Sequence, residues 1–281
     1  MRRLIVVLLV ALALTVSVIS GARLERMTGL DRPGQDLLYL PNGKFLKVAS
    51  LGQAPVLADM LYLWAIQFYS DYDREDRFLY VEHVFGEVIA ELDPHYVDPY
   101  LLGAMILAVE ADDLEAAMRL LDQGFANNPD EWWLPFQAGW ECYHAGQYRR
   151  AREYFNIAAE VPGAPPTVRR MIAGMAFKEG ELRLAIRLWH EVLENPNSDE
   201  LSIGVARGQI DRLTVAADVQ ELQRVVTLFR NENRRFPRSL AELLSSSYID
   251  RLPKDPSGRP YHYDRQTGRV SSARERVLGD D

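Results

Sequence analysis

The chain has 281 residues, 48% of them apolar, a formal net charge of −8 and one cysteine. That length holds a helical array plus a small appended domain, and that apolar content excludes a chain disordered over most of its length. An acidic body is a poor electrostatic match for phosphate backbones, which argues against nucleic acid as a partner. The lone Cys142 permits no internal disulfide and reads as a small buried apolar residue.

Met1-Arg2-Arg3 precedes an uncharged run, Leu4–Ala22. A helix of that length rises roughly 28 Å, enough for a hydrocarbon core of about 30 Å. Two readings stand: an uncleaved signal anchor over residues 1–22, or a secretory signal cleaved at the small residues Ser20-Gly21-Ala22. Arg2 and Arg3 on one side face Arg23 and Arg26 on the other, so the basic residues alone do not set the orientation. The amino-terminal amine and the signal-like character favour a cytoplasmic N-terminus. The expected location is the bacterial inner membrane, single-pass, with the body in the periplasm; after cleavage the body would instead be released there.

Residues 23–53 read as a connector, because Pro33, Gly34, Pro41, Asn42, Gly43 and Gly52 interrupt any period. Within it Leu37–Leu40 suits a short strand or an extended segment. Ala54–Tyr69 then reads as an aromatic-rich helix, and Phe78–Leu92 as a second helix ended by Pro94. Residues 54–97 are expected to form a divergent first repeat or cap, since terminal units have one face without a neighbour.

From Asp98 to about Asn197 the chain repeats every 34 residues. Ala117, Ala151 and Ala185 share one register, as do Leu114, Tyr148 and Leu182; Leu121, Phe155 and Trp189; Gly124, Ala158 and Val192; and Met105, Gly139 and Ala173. Small residues recur where two helices must approach closely and bulky ones where a core must be filled. This pattern resembles the tetratricopeptide repeat, a helix–turn–helix unit that stacks into a solenoid. Three copies are expected over residues 98–197, the middle one, Trp132–Gly163, being the clearest.

The resemblance implies that the first helix of each copy lines a concave groove. In the middle copy the groove places fall on Trp133, Phe136, Trp140 and Tyr143. In the first copy they fall on Leu102, Ile106 and Val109, and in the third on Arg170 and Phe177, so the groove should run from apolar through aromatic to weakly basic. Aromatic anchors of this kind suit a partner helix or an extended peptide. The competing reading has Ala54–Tyr69 or the C-terminal segment folding into the groove, which would make the stripe core.

Leu37–Lys44, Ala49–Gly52 and the aromatic helix with Ala58-Asp59 and Trp64 are together similar to the N-terminal part of membrane-anchored bacterial repeat proteins of largely uncharacterised role.

Residues 198–235 are expected to form two capping helices, the second beginning near Ala217, with Gly204 and Gly208 as weak points. In the module 236–281, Ser239–Leu244 suits a short helix and Asp255-Pro256-Ser257-Gly258 a type I turn. Tyr261–Tyr263 and Arg269–Ser271 should pair as a small hairpin across Asp264–Gly268. Phe229–Asn233, Arg235-Phe236-Pro237, Leu252–Pro256 and Gly258 before Pro260-Tyr261 resemble the globular end of type II secretion pseudopilins. A pseudopilin helix continues its own membrane span, whereas this one follows a repeat array, so the chain is not a pilin subunit. Asp255 and Asp264 alone give no ligand set for calcium.

The five histidines, His83, His95, His144, His190 and His262, show no metal-ligand spacing, and no phosphate loop or Gly-x-Ser-x-Gly motif occurs. The sequence asks for no enzyme, no cofactor, no metal and no small-molecule substrate. The expected fold is mainly α: a tetratricopeptide-type helical solenoid with an N-terminal membrane helix and a small C-terminal α+β module. The expected role is a protein–protein interaction scaffold, as adaptor or assembly factor for an envelope machine of pilus or secretion type, or alternatively as a permanent structural subunit of a membrane complex such as a transporter.

Overall fold

The computed structural model describes residues 40–71, 77–78 and 80–272. The expected membrane helix, the connector as far as Tyr39 and the tail 273–281 lie outside the described residues. No helix among the described residues is long and apolar enough to cross a membrane.

The first described helix, α1 (Gly43–Ala49), lies where the sequence suggested an irregular connector. Asn42 and Gly43 read as turn residues, yet the Asn42 side chain accepts the Phe45 N–H at 2.8 Å and so caps a helix. Gly43 is needed because the helix sits tightly on its neighbour: a Cβ there would lie 2.6 Å from the Glu87 carbonyl and from the Glu91 Cβ. Helix α2 (Ala54–Tyr69) matches the expected bounds, with Pro55 in its first turn. Helix α3 spans 81–92 rather than starting at Phe78; His83–Ile89 is π-helical and Ala90–Leu92 α-helical.

The solenoid follows as three antiparallel helix pairs. They are α4 (Val97–Met105, continuing π-helically over Ile106–Glu110) with α5 (Leu114–Asn127), α6 (Trp133–His144) with α7 (Tyr148–Glu160), and α8 (Pro166–Lys178) with α9 (Leu182–Glu194). The second helices keep the 34-residue step in burial as well as in sequence. Ala117, Ala151 and Ala185 are fully buried, and so, to within a few per cent, are Leu121, Phe155 and Trp189. Gly139 shows why smallness matters: a Cβ there would meet the Phe155 ring at 2.7 Å and the Ala151 carbonyl at 3.1 Å. A side chain at this crossing would hold the two helices apart and open the core on either side. The architecture is therefore a TPR-like helical solenoid.

The first helices tell a different story. Between α6 and α8 the buried positions again step by 34: Leu134 to Val168, Ala138 to Ile172, Gly139 to Ala173 and Cys142 to Ala176. Between α4 and α6 they step by 35: Pro99 to Leu134, Gly103 to Ala138, Ala104 to Gly139 and Leu107 to Cys142. The turn nonetheless returns to 34, because Asp112, Gly146 and Gly180 all take left-handed backbone, with φ of 54°, 73° and 81°. One surplus residue is thus absorbed between Leu107 and Asp112, in the π-helical turn, where the Ala111 N–H donates to the Ile106 carbonyl at 2.9 Å. Met105, placed in register with Gly139 from the sequence, is consequently exposed, and Ala104 takes the buried place.

The first helices of the two ordinary copies, α6 and α8, end in the same hydrogen-bonded turn. At Gly146 the Gln147 N–H reaches the Cys142 carbonyl at 2.9 Å and the Gly146 N–H reaches Tyr143 at 3.0 Å; Gly180 repeats this with Glu181 to Ala176 and Gly180 to Phe177. This is the Schellman arrangement, in which glycine adopts positive φ without a side-chain penalty.

Beyond the solenoid the two expected capping helices are one helix, α10 (Glu200–Asn233), 34 residues long. Asp199 caps it by accepting the Ser202 N–H at 2.6 Å. Gly204 and Gly208 do not break it, because its two ends are held by separate cores. Ala206 and Leu213 pack with Trp189 and Val192 of the solenoid, whereas Val215, Leu222, Val225, Val226 and Phe229 pack with Leu243, Tyr261 and Val270. The second core belongs to a small module of α11 (Leu240–Ser245), β1 (His262–Tyr263) and β2 (Val270–Ser271), paired antiparallel with Tyr263 opposite Val270. The turn at Asp255 closes through the Gly258 N–H to the Asp255 carbonyl at 2.7 Å. The Asp255 carboxylate is occupied by the Ser257 and Arg259 N–H groups and the Arg259 guanidinium.

Candidate protein-binding stripe

Helix α6 displays its aromatic residues because its opposite face is fixed by Leu134, Ala138, Gly139 and Cys142 in the core. With those positions buried, the 100° step of an α-helix turns Trp133, Phe136, Trp140 and Tyr143 outward along one side. Trp133 and Phe136 stack at 5.1 Å between ring centroids, Phe136 and Trp140 at 6.4 Å, and Trp140 meets Tyr143 at 5.7 Å. Trp133 and Trp140 remain 40% and 37% exposed. Phe136 and Tyr143 are half-buried, Phe136 leaning on Phe155 at 5.3 Å. The rings therefore brace one another into a fixed ridge, which lowers the side-chain entropy that a partner would have to overcome.

Among the described residues, neither flank considered from the sequence forms the cover of this ridge. Helix α2 lies against α3 instead, with Tyr62 edge-on to Phe85 at 6.5 Å and to Tyr96, just before α4, at 5.2 Å. The C-terminal module is built on the far half of α10, around its own core.

The first-copy part of the stripe needs correction. Ile106 is only 4% exposed and belongs to the core, Leu102 is half-buried, and Val109 is 68% exposed. The surplus residue in the π-helical turn shifts the register by one, so that Leu101, Met105 and Ala108 are the places equivalent to Phe136, Trp140 and Tyr143. In the third copy, Phe177 is exposed, and the Arg212 guanidinium of α10 lies 5.5 Å from its ring centroid. Arg170 donates to the Thr167 hydroxyl at 3.0 Å, and its buried Nε has no hydrogen-bond partner among the described residues. Lys178 lies 5.9 Å over the Tyr148 ring.

Three neighbours of the ridge escape a reading based on every third or fourth residue. Trp132 stands edge-on to Trp133 at 5.0 Å, and His144 edge-on to Trp140 at 4.9 Å. Glu141 is buried beside the ridge, where it accepts from Gln137 at 2.5 Å; burial raises its carboxyl above the ordinary range. The i, i+4 pair Gln137–Glu141 was the visible sequence signal for it. Cys142 is packed against the Met118 sulfur at 3.5 Å, and burial pushes its thiol up to about 11, away from nucleophilic use. Among the described residues no three His, Cys, Asp or Glu side chains converge as a metal-binding set.

No protein-family model and no curated protein sequence matches the chain. Among solved structures it is similar to a thermophilic TPR protein of Thermus thermophilus, at 16% identity over 59% of this chain and 94% of that one, with a TM-score of 0.36. It is also similar to a putative kinesin light chain of Podosopora anserina with nearly identical TPR-like repeats, at 14% identity over 69% of this chain and 94% of that one, with a TM-score of 0.39. A single-substitution form of that protein matches at 15% identity over 70% of this chain and 99% of that one, with a TM-score of 0.38. The assignment of a TPR-like solenoid rests on the burial register of the six solenoid helices.

Proposed function

We propose that this protein is a protein–protein interaction scaffold that captures a partner helix or extended peptide along the outward side of its first helices. The observation that carries this reading is the ridge of Trp133, Phe136, Trp140 and Tyr143, whose two indoles stay exposed although the helix bearing them is firmly packed. Large rigid aromatics on a fixed backbone are the residue type that concentrates binding energy at protein interfaces. The leader 1–22, by its length and lack of charge, would hold the scaffold in the bacterial inner membrane with its body in the periplasm. In that setting it would serve as adaptor or assembly factor for a pilus or secretion machine, and the pseudopilin-like sequence of 236–281 favours that class of partner. A permanent subunit of a membrane complex is the second reading, favoured by the same exposed ridge.

Trp140→Ala tests the scaffold reading. Loss of the partner captured from native membranes, with the melting point unchanged, is the expected outcome. A loss of about 3–5 kcal/mol of stability, as for a buried tryptophan, would identify the ridge as core and sink the proposal. Stoichiometric co-purification after mild extraction would favour the permanent subunit over the adaptor.

A further inference from the structure

The described residues expose large apolar side chains unevenly. Six of them, Phe45, Val48, Leu51, Val56, Met60 and Leu63, fall within the short stretch formed by α1, the turn after it and α2, and each is between 53% and 90% exposed. They are ordered by the helices that bear them: Phe45 and Val48 are one turn apart on α1, and Val56, Met60 and Leu63 follow one stripe of α2. Helix α2 carries a single charge, Asp59, so it is apolar almost all round. A helix of that composition is ordinarily buried on every side. Here its inner side, with Ala58, Ala65, Phe68 and Tyr69, is buried in the core, and its outer stripe has no cover among the described residues.

We propose that this outer face of α1 and α2 seats on a lipid bilayer as an interfacial contact. The proposal rests on the reading that residues 1–22 anchor the chain, and it specifies which end of the solenoid the membrane meets. Two observations select lipid as the occupant. The apolar leader is joined to α1 through Arg23–Asn42 alone, a span of at most about 70 Å even fully extended, and α1 is the first described helix after it. Charge favours the same end: Lys44 and Lys47 are exposed beside Phe45 and Val48, Lys47 also donating to the Glu91 carbonyl at 2.9 Å and lying 3.9 Å from its carboxylate, and α1 and α2 carry these two lysines against Asp59 in a chain of net charge −8. Basic residues beside exposed apolar ones match an anionic headgroup layer over acyl chains, which repels the acidic remainder of the body.

The test uses the full chain in phosphatidylglycerol-containing vesicles, with an environment-sensitive fluorophore on a single introduced cysteine at Val16, Val48, Met60 or Glu153. Native Cys142 is buried with a raised thiol pKa and stays unlabelled at neutral pH. Quenching by brominated acyl chains is expected at Val48→Cys and Met60→Cys and is not expected at Glu153→Cys, on the exposed side of α7. Quenching at Val16→Cys without quenching at positions 48 and 60 would overturn the interfacial contact and leave the anchor standing. No quenching at position 16 would overturn the anchor itself. A shift of the labels at 48 and 60 to an apolar environment without bromine quenching would overturn the contact too, by assigning the cover to residues 23–39 or to a second copy of the chain.

Discussion

Deleting Val109 should be nearly neutral, because the structure marks it as part of a residue too many. The first helix of the first copy carries one residue more between Leu107 and Asp112 than the second copy carries between Cys142 and Gly146, and the π-helical turn absorbs it. Val109 is 68% exposed, so its loss removes about a third of a valine's contact, or about 0.5 kcal/mol. One backbone hydrogen bond, worth about 1 kcal/mol net, is set against the entropy of one residue fewer to order, about 1–2 kcal/mol. The net change should lie within about 1 kcal/mol of zero. Deleting Tyr143, between Cys142 and Gly146 of the second copy, meets no surplus to absorb it. Leu134 and Cys142 would then rotate by about 100° relative to the fixed Gly146 turn, at a cost of about 3 kcal/mol or more. Equilibrium urea unfolding of both deletions, with Tyr143→Ala to subtract the side chain, measures the contrast. Equal destabilisation by the two deletions would refute the one-residue register shift.

The left-handed turn positions give a paired expectation: Gly146→Ala, at φ 73°, should cost about 1 kcal/mol, while Asp112→Gly, at φ 54°, should gain up to about 1 kcal/mol. Gly174→Ala, in mid-helix with open space around it, should stabilise by about 1 kcal/mol, and urea midpoints that move together for all three would contradict the argument. Gly139→Val should destabilise by about 1–3 kcal/mol through the Phe155 ring, and adding Phe155→Leu should recover part of that loss; no recovery in the double variant would show that the ring is not the obstacle. In the C-terminal module, the Arg235 guanidinium and the Arg238 N–H hold the Glu242 carboxyl down at about 2, below its ordinary 4.5. A carboxyl depressed by folding stabilises above its ordinary pKa and loses that contribution as pH falls toward 2. Amide exchange in α11, corrected for intrinsic rates, should therefore quicken on acidification through that window, and Glu242→Gln should flatten the dependence. An unchanged profile in the variant would remove Glu242 as its source.

The solenoid was legible because helix contact demands small residues at fixed places, and a 34-residue step in Ala117, Ala151 and Ala185 reports that demand directly. The first-copy stripe was not legible, since arithmetic anchored on the second helices cannot see a residue absorbed inside the preceding helix; hence Ile106 was placed outward and is buried. Helix α1 was hidden for a different reason. Asn42-Gly43 has turn chemistry in isolation, and only the close approach to α3 at Glu87 and Glu91 explains a glycine at a helix start. The break expected near Ala217 does not occur because the helix runs on from one core at Leu213 into another at Val215, and the weak points Gly204 and Gly208, each costing about 1 kcal/mol in a helix, are outweighed by those cores. The hairpin was readable from its turns, with Gly268 at φ 72° closing the loop to β2. The ridge residues of α6 were readable as a pattern, but their exposure depended on where α2 and the C-terminal module pack, which is tertiary information.

Helix α10 constrains how any deletion of the C-terminal module can be interpreted. Its 34 residues rise about 50 Å, and Leu213 and Val215, two residues apart, enter different cores. The same helix sends Arg212 onto Phe177, at the end of the exposed stripe. Removing 236–281 would therefore strip the cover from Leu222, Val225, Val226 and Phe229 and loosen a helix that also supports the third copy. Partner loss after such a deletion would not by itself give the module a binding role. Arg212→Ala separates the two roles, because it touches the stripe from α10 without opening either core: Arg212 is exposed, and its only ring contact among the described residues is with Phe177. A partner that tolerates the deletion but not this substitution reads the stripe through to α10; one that tolerates the substitution but not the deletion requires the module.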